Sequence, residues 1–97
     1  MAPVAIAQEN TVNYTLTDLR DRDFHDADLE GTALAGANMK GANFENANLR
    51  GTILTKGSFF EANLEGVDLT DSFADRVVFD RANLHNAIFT DAIASSS

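Results

Sequence analysis

Six carboxylates fall within thirteen residues near the start of the chain: Asp18, Asp21, Asp23, Asp26, Asp28 and Glu30, with Arg20 and Arg22 between them. Crowded carboxylate oxygens are the raw material of a divalent-cation site, but such a site also needs a loop that fixes their geometry. No loop signature is present, so the first expectation for this cluster is a solvated acidic face. The other chemistry-bearing residues are scattered. His25 and His85 are sixty positions apart, and there is no cysteine, hence no thiolate, disulfide framework or zinc signature. The serines lack a recurrent neighbouring base, and neither a phosphate-cradling glycine loop nor a nucleophile elbow occurs. No catalytic, cofactor-binding or metal-binding residue is assigned, and no cofactor is expected. Asn13-Tyr14-Thr15 fits the glycosylation acceptor pattern, which is too short to carry weight alone.

Ninety-seven residues suffice for one small domain, and a formal charge of −8 argues against electrostatic docking on nucleic acid or an anionic membrane. No apolar run reaches membrane-spanning length. A chain this short needs an economical way to bury its apolar groups, and the repeat shows what that way is.

In Ala35–Gly51, AGANMKGANFENANLRG, a large apolar residue returns every five positions: Met39, Phe44, Leu49. Two residues before each stands Ala37, Ala42 or Ala47, and between small and large stand Asn38, Asn43 and Asn48. From Thr17 the register never slips. Its centres are Leu19, Phe24, Leu29, Leu34, Met39, Phe44, Leu49, Leu54, Phe59, Leu64, Leu69, Ala74, Phe79, Leu84 and Phe89. No helix or flat strand has a period of five. Five of the six glycines (Gly31, Gly36, Gly41, Gly51, Gly66) fall two positions after a centre, as do Asn46 and Asn86. Residues that tolerate positive φ, gathered at one slot, are what type II turns require. The chain is therefore expected to turn at nearly every repeat, with the centre and the small residue inward and the other three outward.

These pentads resemble the pentapeptide-repeat family, whose motif is A-[ND]-[LF]-x-x. The best copies are AN before Met39, Phe44, Leu49, Leu64 and Leu84, with AD before Leu29, and the likeness runs from Thr17 to Asp91. It implies an all-β fold, a right-handed quadrilateral β-helix with four pentads per twenty-residue coil. About four coils stacked at the inter-strand spacing of about 4.8 Å would make a rod of roughly 20 Å. The expected division is residues 1–16 as an N-terminal tail and possible cap, 17–94 as the repeat domain, and 95–97 as a C-terminal tail.

A twenty-residue coil sorts the centres into four sides. The first holds Leu19, Met39, Phe59 and Phe79; the second Phe24, Phe44, Leu64 and Leu84. The third holds Leu29, Leu49, Leu69 and Phe89; the fourth Leu34, Leu54, Ala74 and Ala94. The outward slot before each centre is largely polar on three sides. On the fourth it reads Ala33, Ile53, Phe73, Ile93, an apolar stripe about 15 Å long at the strand spacing. Val78 and Ile88 extend it near the last coil, and Phe60 is a further outward aromatic. A coherent exposed apolar patch marks a contact surface, so Ala33, Ile53, Phe73, Ile93, Val78 and Ile88 form the candidate interaction face. Its occupant is expected to be a protein partner, a second copy of the chain, or the N-terminal tail. His25 and His85 share a side but lie three coils apart, too far for a common metal. Arg22 occupies an inward small-residue slot and is expected to escape through the open end or to pair with a neighbouring Asp, since a buried unpaired guanidinium is costly.

Beyond Phe89 the pattern continues only as Ala92, Ile93 and Ala94 before Ser95-Ser96-Ser97, so the C-terminal end is expected to be bare and prone to end-to-end association. Ala5-Ile6-Ala7 before Gln8 looks like the small-x-small end of an export signal, although a basic region and a long apolar core are missing. With the resemblance, whose members are abundant in cyanobacteria and occur in the chloroplast lumen, it points to the periplasm or thylakoid lumen, with the cytoplasm still open. The function that follows is a non-catalytic structural or protein-interaction module acting through the apolar outer face. Two alternatives stand beside it: an acidic DNA mimic that inhibits a type II topoisomerase, as some family members do, and a carboxylate-rich divalent-cation-binding regulator.

Overall fold

The computed structural model describes residues 13–94. Its unit is a tight turn. Positive φ recurs at the slot two after each centre, in eleven non-glycines from Leu16 to Asp91 and in five glycines. The slot before it never has positive φ, and the centre's carbonyl accepts from the amide three residues on, as in Ala42 N–H to Met39 O at 3.1 Å. Together these are the type II signature. The glycines and asparagines that reveal the slot in the sequence are thus its easiest occupants. Lys56, Glu61, Arg76 and Arg81 adopt the same conformation against the usual steric preference of L-residues.

Twenty residues bring the chain back over itself. Every bridge links residue i to i+20 in parallel, from Asn13↔Ala33 to Phe73↔Ile93. The pentad around Met39 shows how its backbone is satisfied. Asn38 N–H donates to Thr17 O in the coil below (3.0 Å), while Met39 and Gly41 donate to Ser58 O (2.8 Å) and Phe60 O (2.9 Å) in the coil above. Ala42 closes the turn, and the remaining amide, Lys40 N–H, donates to the Asn38 side chain at 3.2 Å. All five amides of the pentad are paired.

The expected all-β, right-handed quadrilateral β-helix needs correcting. Among the described residues there is no strand of consecutive paired residues, no sheet or barrel, and no helix; the β pairing consists of thirteen isolated parallel bridges. The physical reason lies in the pentad. Two of its five residues sit in the turn and one amide closes it, so only the residue before the centre has ladder partners on both flanks. Ordinary strands run to about five or six residues, and here every side is interrupted before a second bridge can form. The architecture is a stack of turn-cornered coils tied rung to rung by single bridges.

The core runs through the middle of the stack. Leu19, Leu34, Met39, Phe44, Leu49, Leu54, Phe59, Leu64 and Leu69 are buried, with Ala37, Ala42, Ala47 and Ala62 beside them. Aromatic rings climb the interior in contact: Phe24 stacks on Phe44 with centroids 5.0 Å apart, Phe44 meets Phe59 edge-on at 5.3 Å, and Phe59 stacks on Phe79 at 5.7 Å. The small slot is small because the walls are close. A Cβ on Gly57 would lie 3.0 Å from Leu54 O and 3.2 Å from Met39 Cε. Burial fades at both ends of the described stack: Phe24, Leu29, Phe79 and Leu84 are half-buried and Phe89 is exposed. Residues 13–16 follow the same pattern as the coils, with Tyr14 N–H donating to Ala33 O and Leu16 at a corner. The expectations for the remainder of the N-terminal tail and for 95–97 lie outside the described residues.

Candidate interaction face

The outward slot before each centre has a backbone task. An Asn, Asp or Ser there accepts the amide two residues on, the local side-chain-to-backbone turn these residues favour. On the second side Asp23, Asn43, Asn63 and Asn83 cap the amides of His25, Glu45, Glu65 and His85 at 3.0–3.1 Å. They also link up the stack: Asn43 Nδ2 donates to Asp23 and Asn83 Nδ2 to Asn63. An apolar residue in the slot cannot cap. The amides of Ala35, Thr55, Asp75, Asp80 and Thr90 have no acceptor among the described residues, and the slots two before them hold Ala33, Ile53, Phe73, Val78 and Ile88. Each of these candidate residues therefore forgoes a hydrogen bond that its polar counterparts make.

The structure places Ala33, Ile53, Phe73 and Ile93 in one column of consecutive bridges. Ile53, Phe73 and Ile93 are 42%, 45% and 50% exposed, and Ala33 is half-buried. Val78 is bridged to Ser58 on the first side and Ile88 to Asp68 on the third, so they flank the stripe from around its two corners and are themselves exposed. Leu16 is the residue that sequence reasoning missed. It lies at the corner beneath Gly36, its Cδ2 occupying the space a Gly36 side chain would need, and is 80% exposed at the foot of the stripe. Its place in the positive-φ corner slot was the available signal. Phe60, by contrast, is half-buried, with Lys40 Nζ 5.6 Å above its ring. Behind the stripe the fourth side is polar inside: Thr32, Thr52 and Ser72 are buried. Thr52 Oγ1 donates to Leu49 O at 2.8 Å, while Ser72 Oγ has no partner among the described residues.

The acidic coil resolves into local pairs. Arg20 grips Asp18 through two bonds of 2.8 and 2.7 Å, and these hold the Asp18 carboxyl down at about 2 from 3.8. His25 Nδ1 lies 2.9 Å from Asp23 Oδ1, a contact that raises the imidazole pKa and lowers that of the carboxyl. Arg22 is exposed, so no guanidinium is buried in its small-residue slot. Among the described residues no three His, Asp or Glu side chains converge on a point that could hold a metal ion.

The pentapeptide-repeat pattern matches residues 17–56 and 58–93 in eight copies. The chain belongs to the pentapeptide-repeat family. Among solved structures it is similar to HetL, a pentapeptide-repeat protein involved in heterocyst differentiation regulation in the cyanobacterium Nostoc sp. strain PCC 7120. Identity is 28% over 89% of this chain and 41% of HetL, with a TM-score of 0.83. The pentapeptide-repeat protein alr5209 of Nostoc is 22% identical over 99% of this chain and 85% of its own, with a TM-score of 0.80. Rfr23 of the cyanobacterium Cyanothece 51142 is 22% identical over 87% of this chain and 60% of its own, with a TM-score of 0.54. The chain thus spans under half the length of HetL. A search of curated proteins gives no match.

Proposed function

We propose that this pentapeptide-repeat module docks another protein surface through its fourth side. The observation that carries the reading is the coincidence of two features on one column. Ile53, Phe73 and Ile93 are exposed apolar side chains in adjacent rungs, and Thr55 and Asp75 beside them have amides without an acceptor among the described residues. An exposed apolar patch bordered by unused donors is suited to a protein partner, which can supply both apolar groups and acceptors. The setting that accompanies this reading is extracytoplasmic, the periplasm or thylakoid lumen. Ala5-Ile6-Ala7 and the cyanobacterial relatives support it. The test is a photo-crosslinking phenylalanine analogue placed at position 73 and, as a control, at position 63 on the second side, in cells that express the chain. Adducts from position 73 and none from position 63 are expected. Equal yields at the two positions would remove the fourth side from consideration.

A further inference from the structure

We infer that the fourth side binds a second copy of this chain, with the two stripes parallel about a two-fold axis that runs along the coil axis. The inference rests on the reading of the fourth side as a docking face and names its occupant.

The argument comes from the two rims of the stripe. Chain order places Glu30, Arg50, Asp71 and Asp91 at the corner that enters the fourth side, and Lys56, Asp75 and Arg76 at the corner that leaves it. The entering rim carries a net negative charge and the leaving rim a net positive one. On the leaving rim the Asp75 carboxylate already accepts the Thr55 hydroxyl at 3.0 Å. The same rim presents the uncapped amides of Thr55 and Asp75. Lys56, Arg76, Asp71 and Asp91 make no ion pair among the described residues.

Two faces can meet about a two-fold axis lying in the face in two ways. An axis across the stripe turns one copy head to tail and sets like rim against like rim, Lys56 against Arg76 on the leaving rim and Glu30 against Asp91 at the ends of the entering rim. An axis along the stripe sets the leaving rim of one copy against the entering rim of the other and leaves heights unchanged. Asp71 and Arg76 differ by five residues, a quarter of a coil, or about 1.2 Å of rise at the strand spacing. In the parallel arrangement the second copy's Asp71 therefore lies at the level of Arg76 and the Asp75 amide, while one rung below its Arg50 lies at the level of Lys56, so the charge attraction comes from the upper rung. Ile53, Phe73 and Ile93 then face their own counterparts. An isologous contact of this kind is self-complementary by construction. The face is only about four rungs, or about 20 Å, tall, smaller than a standard interface of about 800 Å² per partner, so the dimer is expected to be weak and concentration-dependent.

The test is sedimentation equilibrium on the full chain up to about 1 mM, an affinity range matched to so small a face. A monomer–dimer equilibrium is expected for the wild type and a monomer for Phe73→Asp. Asp71→Lys and Arg76→Glu should each weaken the dimer about tenfold, because the two-fold axis repeats the Asp71–Arg76 pair and each substitution removes both copies of this exposed contact. The double variant Asp71→Lys/Arg76→Glu should regain most of that loss. A strengthened dimer from Arg76→Glu alone would overturn the parallel arrangement, because it reports cations facing cations. As a second measurement, Ile53→Cys, in a chain without native cysteine, should be linked to itself by a short bis-maleimide, while Asn63→Cys should not. A monomeric wild type at every concentration overturns the second copy as occupant. If position 73 still forms adducts with a protein of different mass, the docking reading survives; if it forms none, both fall.

Discussion

The second and fourth sides are made from the same pentad and have opposite polarity. On the second side Phe44 and Leu64 fill the interior with Ala42 and Ala62 beside them, and Asp23, Asn43, Asn63 and Asn83 cap amides outside. On the fourth side buried Thr32, Thr52 and Ser72 put hydroxyls inside, the centres shrink to Ala74 and Ala94, and outside Ile53 and Phe73 stand over amides without an acceptor among the described residues, with Ile93 exposed in the next rung. The bridges are equivalent on the two sides, so neither is distorted. The backbone asks only that the corner turn and that the inward residues fit. Everything outside the rung is free to serve either stability or contact, and the second side serves the first while the fourth serves the second.

The strongest way to break this contrast is to truncate an aromatic on each side. Phe44 is fully buried between Phe24 and Phe59, and Phe44→Ala should cost about 3–5 kcal/mol in lost contact plus cavity. Phe73→Ala should cost less than about 1 kcal/mol, since the ring is 45% exposed. Urea titrations of both variants give the comparison directly, and a Phe73→Ala cost near that of Phe44→Ala would mean the stripe is part of the core.

A finer cut exchanges the outward residues. Asn63→Ala removes the cap on Glu65 N–H and the acceptor for Asn83 Nδ2, and should destabilise by about 1 kcal/mol. Phe73→Asn does the reverse: it offers the Asp75 amide the cap it lacks and should leave stability unchanged or raise it by up to about 1 kcal/mol. The same substitution should abolish docking on the fourth side. A loss of melting temperature in Phe73→Asn would show that the apolar stripe contributes to the fold.

Much of this was legible because a five-residue period leaves few arrangements open. The inward centres and the corner slot follow from counting, the outward stripe follows once the coil that the resemblance implies is added, and each pentad is local enough for its turn chemistry to appear as Gly41 or Asn46 at a fixed offset. What counting could not show was the competition for backbone groups. The family resemblance implies a twenty-residue return, but whether that return makes strands or single bridges depends on which amides the turn consumes, and a repeat motif does not record that. The caps were hidden for a related reason: Asn43 reads equally well as a ladder residue or as an acceptor for its own chain. Leu16 escaped notice because a large apolar residue at a positive-φ corner contradicts the rule by which the corners were found.

The fourth side also carries a correctable interior defect. Ser72 Oγ is buried with no hydrogen-bond partner among the described residues, whereas Thr52 one rung below donates to Leu49 O. An unsatisfied buried hydroxyl is worth more removed than kept, so Ser72→Ala should stabilise by about 1 kcal/mol, while Thr52→Val should destabilise slightly or be neutral. Thermal unfolding of the two variants side by side checks the sign. If Ser72→Ala is destabilising, the hydroxyl has an acceptor that the described residues do not supply.

The smallest expected effect belongs to the second side and concerns pH. His25 Nδ1 rests on Asp23 Oδ1, with Asp26 Oδ2 at 4.0 Å from Nε2, and the pair raises the imidazole pKa while lowering that of Asp23. A raised folded-state pKa contributes stability that is fully present below the ordinary histidine value of 6.5 and fades as pH rises through the folded value. The contribution is small because both groups lie open to solvent. Proton NMR of the imidazole should therefore show His25 titrating above the ordinary histidine value of 6.5. In Asp23→Asn the His25 midpoint should fall toward its ordinary value, leaving the weaker influences of Asp26 and Glu45. The same substitution retains an acceptor for the His25 amide, so the unfolding midpoint at pH 8 should barely move. A His25 midpoint unchanged by Asp23→Asn would mean that the outward Asx residues act only on the backbone and carry no electrostatic role along the second side.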